Sequence, residues 1–110
     1  MEDGGLKMAE LIFKEGENTF LNFFDRSPKM KILDVLITGR EFEYTLNDVV
    51  NASKVNRQNA FNILREMVDL KIIKKAKKVG RLQYYRLNIE NEAVKQLIKV
   101  YDTILQKYSR

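Results

Sequence analysis

Apolar residues recur at helical spacing through two segments between residues 28 and 50, again from 60 to 70, then at strand-like spacing to residue 87. A last helical stretch follows to residue 108. Ser27 and Pro28 form a start signal, a capping side chain followed by a residue pre-set for the first helical position, and Gly39 is a stop. This predicts a helix over 28–38 with Ile32, Leu33, Val35, Leu36 and Ile37 packed centrally. Phe42 and Tyr44 alternate with Glu41 and Glu43, the pattern of a short extended segment able to pair with a later hairpin. Thr45 and Asp48 have the spacing of a capping box, and Leu46, Val49 and Val50 make the buried stripe of a helix ending near Ala52. Ser53, Lys54 and Val55 form a turn with Val55 inward, and Asn56 caps a third helix running to about Leu70.

At about 100° per residue, Ala60, Ile63, Leu64, Met67 and Leu70 fall on one side of that third helix. Gln58, Asn62, Arg65 and Asp69 fall on the other. After Ile72 and Ile73 the period becomes strand-like, through KKAKK to a tip at Val79-Gly80-Arg81 and back through LQYYRL. Gly80 suits the positive φ of a tight loop. Of Tyr84 and Tyr85, one faces the core and its neighbour faces out, according to register. From about Ile89 to Tyr108 a final helix carries Val94, Leu97, Tyr101, Ile104 and Tyr108 at alternating spacings of three and four. The stripe is too short for a free coiled coil, so it packs on another subunit, on the N-terminal segment, or back on its own domain. Leu6 to Phe24 reads as helix, break, helix. Its Phe20, Leu21, Phe23 and Phe24 either enlarge the core or form a dimer surface.

Helix, turn, longer helix and hairpin, in that order, are the parts of a winged helix-turn-helix. The expected class is mainly α with a small β-hairpin, flanked by N- and C-terminal helical extensions. At 110 residues one domain is expected: a core over 27–88, an N-terminal extension over 1–26, and a C-terminal helix over 89–110 suited to dimerisation.

Charge sharpens this picture, because the net charge of +5 is unevenly distributed. Residues 1–52 hold six Lys/Arg against ten Asp/Glu, whereas residues 53–88 hold ten basic side chains against only Glu66 and Asp69. No acidic residue occurs from Leu70 to Ile89. Such a block suits a polyanion, so the expected partner is double-stranded DNA. Residues near the start of a recognition helix contact base edges, which here are Asn56, Arg57, Gln58, Asn59 and Asn62, with Arg65 one turn on. Asn and Gln can bond adenine in bidentate fashion, and Arg can do so with guanine or grip phosphate. Gln58 and Asn62 are assigned base reading, Arg57 phosphate, and Thr45 and Lys54 backbone positioning. Lys77, Lys78 and Arg81 near the hairpin tip would reach the flanking minor groove or its phosphates. Phe61 borders the reading face, with packing beneath the second helix favoured over contact with a thymine methyl. The dimer candidates are Phe20, Phe23, Phe24, Val94, Leu97, Tyr101, Ile104 and Tyr108.

Residues 23–88 resemble archaeal winged helix-turn-helix regulators of the broad ArsR/MarR-like type. The phrases that carry the resemblance are SPKMKILDVLI, EYTLNDVV, KVNRQNA, LREMVDLKII and GRLQYYRLN. It implies a homodimeric transcription regulator that binds a pseudo-palindromic site. Two departures stand out: Lys54 or Ser53 replaces the turn glycine, and Lys71 replaces the glycine usual after the recognition helix. The absence of Cys and His removes the ligand sets of metal-sensing relatives. No metal, cofactor or effector is assigned.

Scattered carboxylates, no Gly-rich phosphate loop after a strand and no histidine base argue against an enzyme. No apolar run approaches the roughly 20 residues of a membrane span, and a cytoplasmic location is expected. The competing function is a winged-helix protein-interaction module in a transcription or plasmid-maintenance complex. A third is RNA binding, with an outward tyrosine stacking on a base.

Overall fold

The helix caps expected at Ser27, Thr45 and Asn56 all form in the computed structural model, which describes residues 19–108. The described elements are α1 (Thr19–Phe23), α2 (Pro28–Thr38), α3 (Leu46–Ser53), α4 (Arg57–Asp69), β1 (Ile73–Val79), β2 (Leu82–Leu87) and α5 (Glu92–Tyr108). The class is mainly helical with one two-stranded antiparallel hairpin. Of the helix-break-helix expectation over Leu6 to Phe24, residues 6–18 lie outside the described residues, and the remainder contains α1.

The Ser27 hydroxyl accepts from the Met30 amide at 3.3 Å, with Pro28 in the first helical position. At Thr45 the box is reciprocal: the Asp48 amide donates to the Thr45 hydroxyl at 3.2 Å, and the Thr45 amide to the Asp48 carboxylate at 2.9 Å. The Asn56 side-chain oxygen takes the Asn59 amide at 2.8 Å. Caps of this kind contribute about 1 kcal/mol each. Gly39 ends α2 for a reason of space, since its φ of −104° is open to any residue. A Cβ built there would lie 1.6 Å from the Tyr44 hydroxyl, which donates to the Gly39 carbonyl at 3.1 Å.

Both turns flanking α4 use a left-handed lysine where glycine is the cheaper residue. Lys54 has φ +63° and closes α3 through its amide to the Val50 carbonyl at 2.9 Å. The Ser53 hydroxyl ties the same turn, donating to the Val49 carbonyl at 2.7 Å and accepting from the Val55 amide at 3.3 Å. Lys71, also at φ +63°, completes a Schellman motif: its amide reaches the Val68 carbonyl at 3.0 Å and the Ile72 amide the Met67 carbonyl at 2.9 Å. The left-handed conformation costs roughly 1–2 kcal/mol. Two bonds to the Lys71 carbonyl offset it, from the Asn88 and Asn91 side-chain amides at 3.0 and 2.9 Å.

This C-cap corrects the core assignment of Leu70, which is 57% exposed. The helix axis ends there and the chain reverses, so Ile72 and Ile73 supply the apolar contacts instead. Ile63 is only half-buried, while Ala60, Leu64 and Met67 are fully buried.

In the hairpin, Ile73 pairs with Leu87, Lys74 with Arg86 and Lys75 with Tyr85; the register then shifts before Lys78 pairs with Gln83 and Val79 with Leu82. Ala76 and Lys77 therefore oppose the single residue Tyr84, a bulge that increases local twist. Gly80 takes φ +61° while Arg81 does not have positive φ, the signature of a II′ turn. The extended segment before α3 reduces to one residue, Tyr44, whose amide and carbonyl both bond Tyr85, at 2.8 and 2.7 Å. Tyr85 is thus the tyrosine that packs on the core, and Tyr84 lies on the opposite face.

α5 begins at Glu92 rather than near Ile89, because the Asn91 side chain caps it by accepting from the Ala93 amide at 2.8 Å. It packs on α1, with the rings of Phe20 and Tyr101 at 4.8 Å between centroids. A polar clasp joins it to the end of α2. The Tyr101 hydroxyl donates to Asp34 at 3.1 Å and is hydrogen-bonded to Thr38, and Arg40 forks onto Asp102 at 3.2 and 2.8 Å.

Candidate nucleic-acid interface

The side of α4 away from its core contacts carries Gln58, Asn62, Arg65 and Asp69, all exposed. Gln58 donates weakly to the Asn62 side-chain oxygen at 3.4 Å. Both amides keep hydrogen-bonding capacity toward an outside partner. Asn59 is exposed, and Asn56 is exposed although its oxygen caps the helix. Arg57 donates to the Asn47 side chain of α3, which holds it on the flank of the face. Lys54 is exposed at the turn. Glu66 lies on the other flank, in an ion pair with Lys29 at 3.0 Å.

Thr45 does not join this group. It is 7% exposed and its hydroxyl is committed to the capping box. Capping and backbone positioning both call for a small hydroxyl at this point in a sequence, and only burial separates them. Phe61 departs from expectation in the opposite sense: it is 40% exposed, and the Arg65 guanidinium lies 5.8 Å from its ring centroid.

The hairpin adds a second charged surface. Lys74 pairs with Glu90 at 3.0 Å and Lys77 with Glu43 at 3.7 Å, while Lys75, Lys78, Arg81 and Arg86 make no ion pair among the described residues. Lys77 also lies 4.8 Å from the centroid of the outward Tyr84 ring, so the most available cations at the tip are Lys78 and Arg81. Lys74 and Arg86 stand directly opposite across the strands, a repulsive placement. Glu90 relieves it. Its carboxyl is held below the usual range by the Lys74 hydrogen bond and charge, with Arg86 and Lys95 adding to them. Lys75 and Arg86 are absent from the expected contact set; Lys75 makes no ion pair among the described residues, and Arg86 shares the charge of Glu90 with Lys74.

The apolar candidates divide. Phe20, Val94, Tyr101 and Ile104 are buried within the single chain, at 0, 2, 4 and 3% exposure, and are not available to a second subunit. The α5 stripe therefore meets the N-terminal segment, one of its three expected destinations. Leu97 is half-buried. Phe23, Phe24 and Tyr108 remain exposed, with Phe23 edge-on to Phe24 at 5.3 Å and 5.4 Å from Tyr108. Val100 extends this patch along α5, and a shallow hollow of about 370 Å³ runs between Phe23, Val100 and Tyr108. A larger open groove, of about 660 Å³, lies between α1, α2, the 39–44 segment and the end of α3, with Arg26, Lys31, Asp34, Val35, Phe42 and Lys54 in its lining. Among the described residues no helix is long and apolar enough to cross a membrane.

No protein-family model and no curated protein matches the sequence. Solved structures do match the fold. MepR, a transcription regulator of the Staphylococcus aureus multidrug efflux pump MepA, superposes with a TM-score of 0.60 at 16% identity, over 92% of this chain and 73% of that one. A mutant of S. aureus MepR gives a TM-score of 0.61 at 19% identity, over 97% and 78% of the two chains. The fold is that of a winged-helix regulator.

Proposed function

We propose that this chain is a sequence-specific double-stranded DNA-binding transcription regulator of the MarR-like winged-helix kind, working as a homodimer and not as an enzyme. The observation that carries the reading is the adjacency of two surfaces with unsatisfied chemistry. One is the exposed amide and guanidinium face of α4, the other a hairpin whose Lys75, Lys78 and Arg81 make no ion pair among the described residues. α4 enters the major groove, where Gln58 and Asn62 read base edges, Arg65 lies beside them and Arg57 grips phosphate. Asn56, Asn59 and Lys54 contact the backbone or bases at the helix start. Lys77, Lys78 and Arg81 meet the minor groove and its phosphates. The two subunits join through Phe23, Phe24, Val100 and Tyr108, which sets two recognition helices about 34 Å apart on a pseudo-palindrome.

Selection of bound duplexes from a random pool supplies a site, and fluorescence anisotropy then tests the roles. Gln58→Ala with Asn62→Ala reduces the preference for the selected over a scrambled duplex by about tenfold or more. Lys78→Ala with Arg81→Ala weakens binding to both equally and flattens the slope of log affinity against log salt by about two. Binding unchanged by both pairs removes the assignment. The exposed apolar patch also favours a second reading, a protein-interaction module; absence of duplex binding at low salt together with a stable heteromeric complex would establish it.

A further inference from the structure

Arg65 has two acidic neighbours on its own helix and pairs with neither. Glu66 is engaged by Lys29, and Asp69 stands four residues on, the spacing of a favourable helix ion pair. The Arg65 guanidinium instead lies toward Phe61, one turn back, at 5.8 Å from the ring centroid. Phe61 is 40% exposed, while Ala60 and Leu64, both on the core side of it around the helix, are buried. At helical spacing it stands about 60° from Gln58 and about 120° from Met67. The aromatic ring is thus presented beside the reading face, with a planar cation resting on it.

We infer that Phe61 and Arg65 form one composite reader, Phe61 taking the C5-methyl of a thymine and Arg65 the O6/N7 edge of a guanine in the adjoining base pair. The inference rests on the DNA-binding reading above. In the major groove the thymine methyl is the apolar feature that an aromatic side chain can recognise, and guanine is the base whose two acceptors match a guanidinium fork. Guanidinium stacks on aromatic faces, so the ring restrains the fork before DNA arrives and lessens the ordering cost of binding. Successive bases lie about 3.4 Å apart along a strand. With the guanidinium 5.8 Å from the ring centroid, less than two base steps, the fork is within reach of the neighbouring pair when the ring touches a methyl. Gln58 and Asn62 supply adenine-type contacts, so this pair adds the thymine-guanine part of the site.

Uracil for thymine removes that methyl and nothing else, which leaves the protein's folding untouched. In a duplex selected by the wild type, each thymine is replaced in turn by uracil and affinity measured by anisotropy. One position should cost the wild type about fourfold, the worth of one buried methyl. Phe61→Ala should bind the thymine duplex correspondingly weaker and be indifferent to uracil at that position. Arg65→Lys, which keeps the charge and loses the fork, should lose roughly tenfold in preference for guanine at the adjoining pair. Tight wild-type binding insensitive to every uracil, or full methyl sensitivity retained by Phe61→Ala, overturns the inference alone. If selection yields no bound duplex, the DNA-binding reading itself fails, and this inference with it.

Discussion

The two ends of the molecule leave opposite chemistry unsatisfied. Around α4 and the hairpin polar and cationic groups dominate the solvent face, Gln58, Asn62, Lys78 and Arg81 among them, with Phe61, Leu70, Val79 and Leu82 exposed between them. Around α1 and α5 the clasp matches Arg40 with Asp102 and Tyr101 with Asp34 and Thr38, and beside the exposed charges of α5 stands an exposed apolar cluster, Phe23, Phe24, Val100 and Tyr108. Unpaired cations cost little in water and gain by displacing counterions from a polyanion. Exposed aromatic rings gain by leaving water for another apolar surface. The contrast is what the proposed division of labour rests on, with nucleic acid proposed for one end and a protein partner for the other.

Within the α1 and α5 end, burial separates neighbouring aromatics, which gives the largest expected effect. Phe20→Ala should destabilise the fold by about 3–5 kcal/mol in urea denaturation. Phe23→Ala, at 52% exposure, should change monomer stability by less than about 1 kcal/mol. Equal losses would erase the distinction between a packed side and a free side.

Exchanging the chemistry of the two ends comes next. Lys78→Glu with Arg81→Glu should cut duplex affinity by roughly a hundredfold or more at moderate salt, leaving sedimentation unchanged. Phe23→Asp with Tyr108→Asp should leave the chain monomeric at concentrations where the wild type sediments as the proposed dimer, while circular dichroism stays that of the folded chain. A variant pair that moved both properties together would show the ends to be coupled.

The junction between them holds two smaller tests. Gly39→Ala should cost about 1–2 kcal/mol, because the new Cβ meets the Tyr44 hydroxyl and ring, and adding Tyr44→Phe should recover part of it. At the clasp, Arg40 holds the Asp102 carboxyl below its ordinary range by hydrogen bonding and charge. A carboxylate whose folded value is depressed contributes stability above its unfolded value, and the contribution is lost as pH falls through the folded one. The wild type should therefore lose under about 1 kcal/mol relative to Asp102→Asn on acidification below pH 4, a small figure because the pair is half open to solvent. Thermal melts of both proteins across that range measure the difference.

What could be read in advance is what neighbouring residues settle among themselves. Ser27, Thr45 and Asn56 each bond an amide three residues on, so their helix starts were evident from spacing alone. The face of α4 and the block of positive charge follow likewise from periodicity and position. The tertiary structure decided whatever depends on a partner distant in the chain. Pairing with Tyr44 turned Tyr85 inward, and a bulge at Ala76 and Lys77 set the hairpin's outward side. Packing against Phe20 buried Tyr101, which its heptad spacing offered equally to a second subunit. Burial made Thr45 a cap alone, and Phe61 was left exposed beside the polar side of α4. Helical phase states which residues share a side; only the surfaces brought against that side determine which of them remain free to bind.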